Sequence, residues 1–278
     1  MVLAVHLRGS LAGTGPMPDG VPVLEAGTVP LVLLHAFPLH SAMFEPMVAH
    51  LPDLPIVLVD LPGAGESGLV EPVSIEAAGL AVADTVRDLG AARAVIGGVS
   101  MGGYVVMAIL RQVPEILAGM MLLHTKAGVD TADTVETRLA LAEEVLASGS
   151  VTNLEPMAEV LVSAESKAHH PGLVDQLKAW IREGRPQGVA WAQRAMAVRQ
   201  DSIPILRAAA IPTLIGVGSD DPFAPPREAE AMASALRGLA HSTLMVGVGH
   251  LGPVEAPELA ARLVREHYHI MVGDPVWQ

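Results

Sequence analysis

Gly98-Val99-Ser100-Met101-Gly102 stands where an apolar β-like run, Arg93 to Val99, gives way to an apolar helical run, Tyr104 to Leu110. A serine with glycines two places to either side, at the point where a strand becomes a helix, occupies a tight turn. The glycines leave the space that turn needs, and the serine hydroxyl is left exposed at its crest. Ser100 is therefore the candidate nucleophile. Five residues of this kind recur in ordinary turns; the weight of the match comes from its strand-turn-helix setting.

A serine hydroxyl attacks poorly at neutral pH, so Ser100 needs a base, an acid to orient that base, and donors for a developing oxyanion. Leu244 to Val248 reads as a strand and runs into Gly249-His250-Leu251-Gly252-Pro253-Val254-Glu255-Ala256-Pro257-Glu258, a loop that leads to a last helix. His250 is the candidate base. A second apolar run, Pro212 to Gly218, ends in Ser219-Asp220-Asp221-Pro222-Phe223-Ala224-Pro225, which offers two adjacent acids. Serine, acid and histidine each follow a strand, at the edge where open α/β sheets place their sites.

Taken with Leu33-Leu34-His35-Ala36-Phe37-Pro38 and Asp60-Leu61-Pro62-Gly63-Ala64-Gly65-Glu66-Ser67, these segments resemble the α/β-hydrolases of the capped esterase, lactonase and perhydrolase type over nearly the whole chain. Gly103 extends the match at the serine turn, and Ala36 stands where that family usually has glycine. The resemblance implies a cofactor-independent acyl-enzyme mechanism and an oxyanion hole made by the backbone N–H groups of Phe37 and Met101. It gives His35 a loop-organising role. It also selects between the two acids, because in the family's G-x-x-D turn the acid is the third residue beyond the glycine; counting from Gly218 gives Asp221. Met101 has a physical basis as well, since the first N–H groups of a helix lack intrahelical acceptors and its dipole favours negative charge there.

The 278 residues, 51% of them hydrophobic, are enough for a large core. A formal charge of −13 argues against nucleic acid or an anionic membrane as partner, which leaves a small-molecule substrate. There is no cysteine, hence no thiolate chemistry or disulfide framework. Met1 to Leu11 lacks the basic and long apolar regions of a secretory leader and reads as a first strand, so a cytoplasmic location is expected. The composition says nothing of oligomeric state.

Apolar runs at Val2 to Leu7, Val21 to Leu24, Leu31 to His35, Ile56 to Asp60, Ala94 to Gly98, Gly119 to Leu123, Thr213 to Val217 and Thr243 to Val246 predict an eight-stranded, mostly parallel sheet flanked by helices, the first two joined as a hairpin through Pro16 to Gly20. Lys126 to Gln200 breaks the rhythm with helical segments at Thr131 to Ala147, Leu154 to Ser163, Leu173 to Glu183 and Gln187 to Val198. The chain thus divides into an α/β core, residues 1–125 and 201–278, and an inserted helical cap, residues 126–200.

Met43, His124, Trp180, Trp191, Met196, Phe223 and Leu251 are the candidate pocket residues, each equally suited to ordinary packing. Together they describe an apolar pocket without an obvious fixed charge, suited to a small neutral ester or lactone. Arg182, Arg185, Arg194 and Arg199 read as a solvated helix face. His169-His170 and His267-Tyr268-His269 lack a full ligand set, so no metal is expected. Gly63, Gly65 and Gly68 lack the following helix and acid of a dinucleotide site and read as a turn. A serine at the turn argues against chemistry that needs a carboxylate nucleophile. It leaves perhydrolysis, carbon–carbon bond hydrolysis and ligand-dependent signalling on the same fold as alternatives to ester or lactone cleavage.

Overall fold

The computed structural model describes residues 3–11 and 23–273. Seven strands form one sheet among these residues: β1 (Val5–Gly9), β2 (Leu31–Leu34), β3 (Pro55–Val59), β4 (Ala94–Val99), β5 (Leu117–Leu123), β6 (Thr213–Gly218) and β7 (Ala240–Met245), in the order β1-β3-β2-β4-β5-β6-β7. Every pairing is parallel except β1 with β3. β2, β4, β5 and β6 are buried along their whole length, as continuous apolar strands covered on both faces should be. α2 (Ile75–Asp88) packs on α3 (Met101–Gln112), which lies on β2, β4 and β5. The last helix, α12 (Pro257–Val272), packs on β4, β5 and the short α1 (Glu45–Val48).

Among the described residues the sheet has seven strands, where eight were expected. Val23 and Leu24 are not in a strand; the Leu24 N–H is taken by the Leu89 carbonyl at the end of α2, and β1 pairs with β3, Val5 opposite Val59. The rest of the expected hairpin, including Pro16 to Gly20, lies outside the described residues. β7 begins at Ala240, ahead of the apolar signal at Thr243. As an edge strand it buries little, so Ala240-His241-Ser242 pairs with β6 without the hydrophobicity that marks the central strands.

Between β5 and β6 the chain is helical: α4 (Ala132–Ser148), α5 (Met157–Val160), α6 (Ala164–His169), α7 (Leu173–Arg182), α8 (Pro186–Ala197) and α9 (Ile203–Ala208). The single helix expected over Leu154 to Ser163 is instead a 3₁₀ turn, α5 and the start of α6. Pro156 opens α5, and the Ser163 hydroxyl accepts from the Ser166 N–H to open α6. α8 packs against α4 and is fastened to the sheet side of the molecule. The Trp191 indole N–H donates to the Val70 carbonyl at 2.7 Å. Gly188 meets Gly63 so closely that a Cβ on either would stand 2.0 to 2.5 Å from the other's backbone. This approach, not a phosphate cradle, accounts for Gly63. Two short helices follow β6 and β7, α10 (Pro226–Ala235) and α11 (Gly252–Glu255). No helix among the described residues is long and apolar enough to cross a membrane.

Candidate active site

Ser100 sits between β4 and α3 with φ 54° and ψ −112°, a backbone conformation disfavoured for any residue with a side chain. Its surroundings hold it there. The Ser100 N–H donates to the Leu123 carbonyl at 2.9 Å, and the Ser100 carbonyl accepts from the Thr125 hydroxyl at 2.8 Å and from the Gly103 N–H at 2.9 Å. The flanking glycines are sterically required. A Cβ at Gly98 would lie 2.2 Å from the Gly102 backbone, and one at Gly102 would lie 2.1 Å from the Leu34 carbonyl oxygen. The turn folds back on its own strand and on β2, which leaves no room for alanine.

Asp221, three residues past β6, is buried, and its carboxylate receives five contacts. Oδ1 accepts from the Phe223 and Ala224 N–H groups at 2.9 Å each; His250 Nδ1 lies 2.8 Å from both oxygens; and His124 Nδ1 lies 3.3 Å from Oδ2. Burial alone would raise the Asp221 pKa. The hydrogen bonds from His124 and His250 outweigh it and hold the carboxyl well below the ordinary range, so it is ionised at neutral pH. Asp220 is exposed, and among the described residues its side chain pairs with the neighbouring Ser219 hydroxyl, at 2.9 Å.

His250 is gripped from three directions. Its N–H donates to the Leu161 carbonyl at 2.9 Å, its ring is paired with Asp221, and the Phe223 ring lies 5.0 Å from it, centroid to centroid. The loop that carries it is gathered around Glu255, a buried carboxylate. Glu255 accepts from the N–H groups of Gly249 (2.9 Å), Leu251 (2.8 Å) and Ser163 (2.8 Å) and from the Ser166 hydroxyl (2.8 Å). One carboxylate thereby ties the histidine loop to the helical segment between β5 and β6.

On the other side of the serine, the loop after β2 is organised by His35. Its Nε2 accepts from the Leu61 N–H at 2.9 Å, and its Nδ1 faces the Ala36 carbonyl at 3.1 Å, so the proton resides on Nδ1. Complete burial pushes the His35 pKa down to about 4. Asp60 accepts from the N–H groups of Ser41 and Glu66 at 3.0 Å each and binds His6 at 3.1 Å. Those bonds outweigh its burial and leave its pKa at about 2. Asp60 belongs to the frame, not to the serine.

Ser100, His250, His124, Phe37, Met196 and Phe223 line one cavity of about 420 Å³. Phe37 also lines a second, narrow cavity with Met101 and Trp180. The remaining sequence candidates do not reach either. Met43 is fully buried beneath the loop, its sulfur accepting from the Ala36 N–H; Trp191 is committed to Val70; Leu251 is packed in the core. Four residues went unrecognised in the sequence. Tyr104 lies one turn along α3 from Ser100, and Lys126 and Arg138 line the cavity as fixed charges where none was expected. Glu255 is the fourth; its sequence signal is an acid within a run of glycine, proline and apolar residues, Leu251 to Pro257. Of the arginines read as solvated, Arg182 pairs with half-buried Glu155 and Arg194 with exposed Glu143, and Arg185 reaches the Ser67 carbonyl. Arg199 is buried, 4.3 Å over the Tyr104 ring and paired with Asp130.

The comparisons with known proteins agree with this architecture. The thermophilic esterase of Thermogutta terrifontis, in its malate-bound structure, superposes with a TM-score of 0.86 at 32% identity, covering 97% of this chain and 93% of that one. The pimeloyl-[acyl-carrier protein] methyl ester esterase of Neisseria meningitidis serogroup C is 28% identical over 244 residues, 84% of this chain and 91% of its own length. The 3-oxoadipate enol-lactonase 1 of Acinetobacter baylyi is 26% identical over 217 residues, 78% and 79% of the two chains. With a mostly parallel sheet whose strands β4, β6 and β7 lead into Ser100, Asp221 and His250, and a match to the alpha/beta hydrolase fold model across residues 29–257, the chain belongs to the alpha/beta hydrolase family.

Proposed function

We propose that the protein is a serine hydrolase that cleaves carboxylic esters or lactones through an acyl-enzyme. The observation that carries the reading is the convergence of three elements: Ser100 on a strained turn, His250 held 2.8 Å from both oxygens of ionised Asp221, and one cavity lined by both Ser100 and His250. His250 Nδ1 donates to Asp221, which leaves Nε2 as the acceptor for the Ser100 proton. The serine oxygen attacks the carbonyl carbon, and the N–H groups of Phe37 and Met101 receive the oxyanion. His250 then returns the proton to the leaving alkoxide, and water, activated by the same histidine, releases the acid. Residues 126–200 act as the cap over this site. Support comes from relatives described as an esterase, a methyl ester esterase and an enol-lactonase.

A panel of short aryl esters, methyl esters and lactones tests the reading, each assayed with and without hydrogen peroxide. Expected is hydrolysis with a burst of alcohol release and no requirement for peroxide. No turnover of any ester or lactone would overturn it.

A further inference from the structure

The cavity that Ser100 lines carries fixed positive charge. Lys126 and Arg138 line it, and among the described residues no aspartate or glutamate does. Behind them stands Asp130, its side chain 1% exposed; the other carboxylate against this wall, Asp221, is taken up by His124 and His250. Asp130 accepts from Arg138 Nε at 2.7 Å and from Arg199 Nη2 at 2.9 Å, with Lys126 Nζ at 3.5 Å. Three cations thus surround one carboxylate, a local excess of two positive charges in a chain of formal charge −13. Clustered like charges at a half-buried wall are unfavourable unless an anion completes the group.

Donors remain for that anion. Arg138 spends Nε on Asp130 and Nη1 on the Gln193 side-chain oxygen at 3.0 Å, while its Nη2 has no hydrogen-bond partner among the described residues. Lys126 has three protons and, among the described residues, a single ion pair. The Gln193 oxygen is occupied by Arg138, so the amide nitrogen is the part of that side chain left to donate. Asp130 itself fixes the two arginines, so the donors are oriented before a ligand arrives. We propose that Lys126, Arg138 and Gln193 bind a carboxylate carried by the substrate, in addition to the ester or lactone carbonyl attacked at Ser100; the inference rests on the serine-hydrolase reading and narrows its substrate class to anionic half-esters or carboxylate-bearing lactones.

The experiment compares kcat/KM for matched pairs: monomethyl esters of C4 to C7 dicarboxylic acids against methyl alkanoates of equal length, and acetates of ω-hydroxy acids against alkyl acetates. A carboxylate on either side of the ester is thereby covered. In at least one series the anion is preferred by about tenfold or more, the worth of a charge-assisted hydrogen bond. The anion-to-neutral ratio falls toward one in Lys126→Met and in Arg138→Met, and with rising salt. A ratio taken within one variant cancels any loss of folded enzyme. Lys126→Met also leaves Asp130 paired with both arginines. In parallel, calorimetry on Ser100→Ala with glutarate and adipate reports carboxylate binding without catalysis, and that binding weakens when Lys126→Met is added. Turnover of neutral esters with no anion preference in any series, and no dicarboxylate binding, overturns the subsite and leaves the hydrolase reading intact. Dicarboxylate binding without turnover of any ester overturns the hydrolase reading instead.

Discussion

His124 donates its Nδ1 proton to Asp221 Oδ2 across 3.3 Å, so the carboxylate that orients His250 is itself held by a second histidine. The tautomer follows from the neighbouring backbone, because the Gly252 N–H points at His124 Nε2 from 3.2 Å and makes that nitrogen the acceptor. His124 thereby links the end of β5, the acid and the loop of the base. It is a positioning residue. In His124→Leu the Asp221 carboxylate loses a donor and kcat falls by about tenfold with KM little changed. His124→Asn, which retains a donor, recovers part of the loss. Equal activity in the two variants contradicts the assignment.

The adjacent aspartates separate cleanly by their surroundings. Asp221→Asn removes the acceptor that fixes the His250 tautomer and lowers kcat by roughly 10³ to 10⁴-fold. Asp220→Asn touches an exposed side chain and costs less than about tenfold. Steady-state kinetics on both variants, with circular dichroism to verify the fold, decides between them. A reversal of the two results would move the catalytic role to Asp220.

Glu255 serves four donors with one buried carboxylate. Glu255→Gln turns an amide N–H₂ toward groups that need an acceptor, so the histidine loop loosens and the unfolding free energy drops by about 3 kcal/mol. Denaturant titration measures the drop. An unchanged midpoint would mean that the loop is held by its other contacts.

His35 predicts a pH dependence of stability. Its pKa is about 4 in the folded protein, against 6.5 for the unperturbed side chain. Between those values the unfolded chain binds a proton that the folded one refuses, so stability falls as pH drops from about 6.5 to about 4, by about 3 kcal/mol in all. Asp60, at about 2, contributes stability above its unfolded value that is lost only at lower pH. Chemical denaturation at pH 7, 5.5 and 4 should show the fall in the wild type and a shallower one in His35→Gln, whose side-chain oxygen can still accept from Leu61. Equal slopes would contradict the role assigned to burial.

The sheet and the three residues after its strands were legible because each carries a local signal. Continuous apolar runs mark buried parallel strands, and the Ser100 turn needs glycine on steric grounds that any such turn shares. β7 was shifted because an edge strand is held by backbone bonds, which no hydropathy pattern records. Lys126 and Arg138 were unreadable for another reason. A lysine after β5 and an arginine on the mostly exposed helix α4 are indistinguishable in sequence from solvated charges. Only the return of Arg199, some sixty residues later, to the same Asp130 gathers them at one wall. Trp191 failed as a pocket residue for the converse reason, since its bulk is used to dock α8 on the loop after β3.

The central claim, that Ser100 forms a covalent acyl-enzyme, is tested most directly by treating the protein with a fluorophosphonate and locating the adduct by peptide mass spectrometry. The account predicts one equivalent bound at Ser100 alone, abolished in Ser100→Ala, with ester turnover in that variant reduced by a factor on the order of 10⁶. An adduct at another serine, or a Ser100→Ala protein that keeps a tenth of the activity, would contradict it.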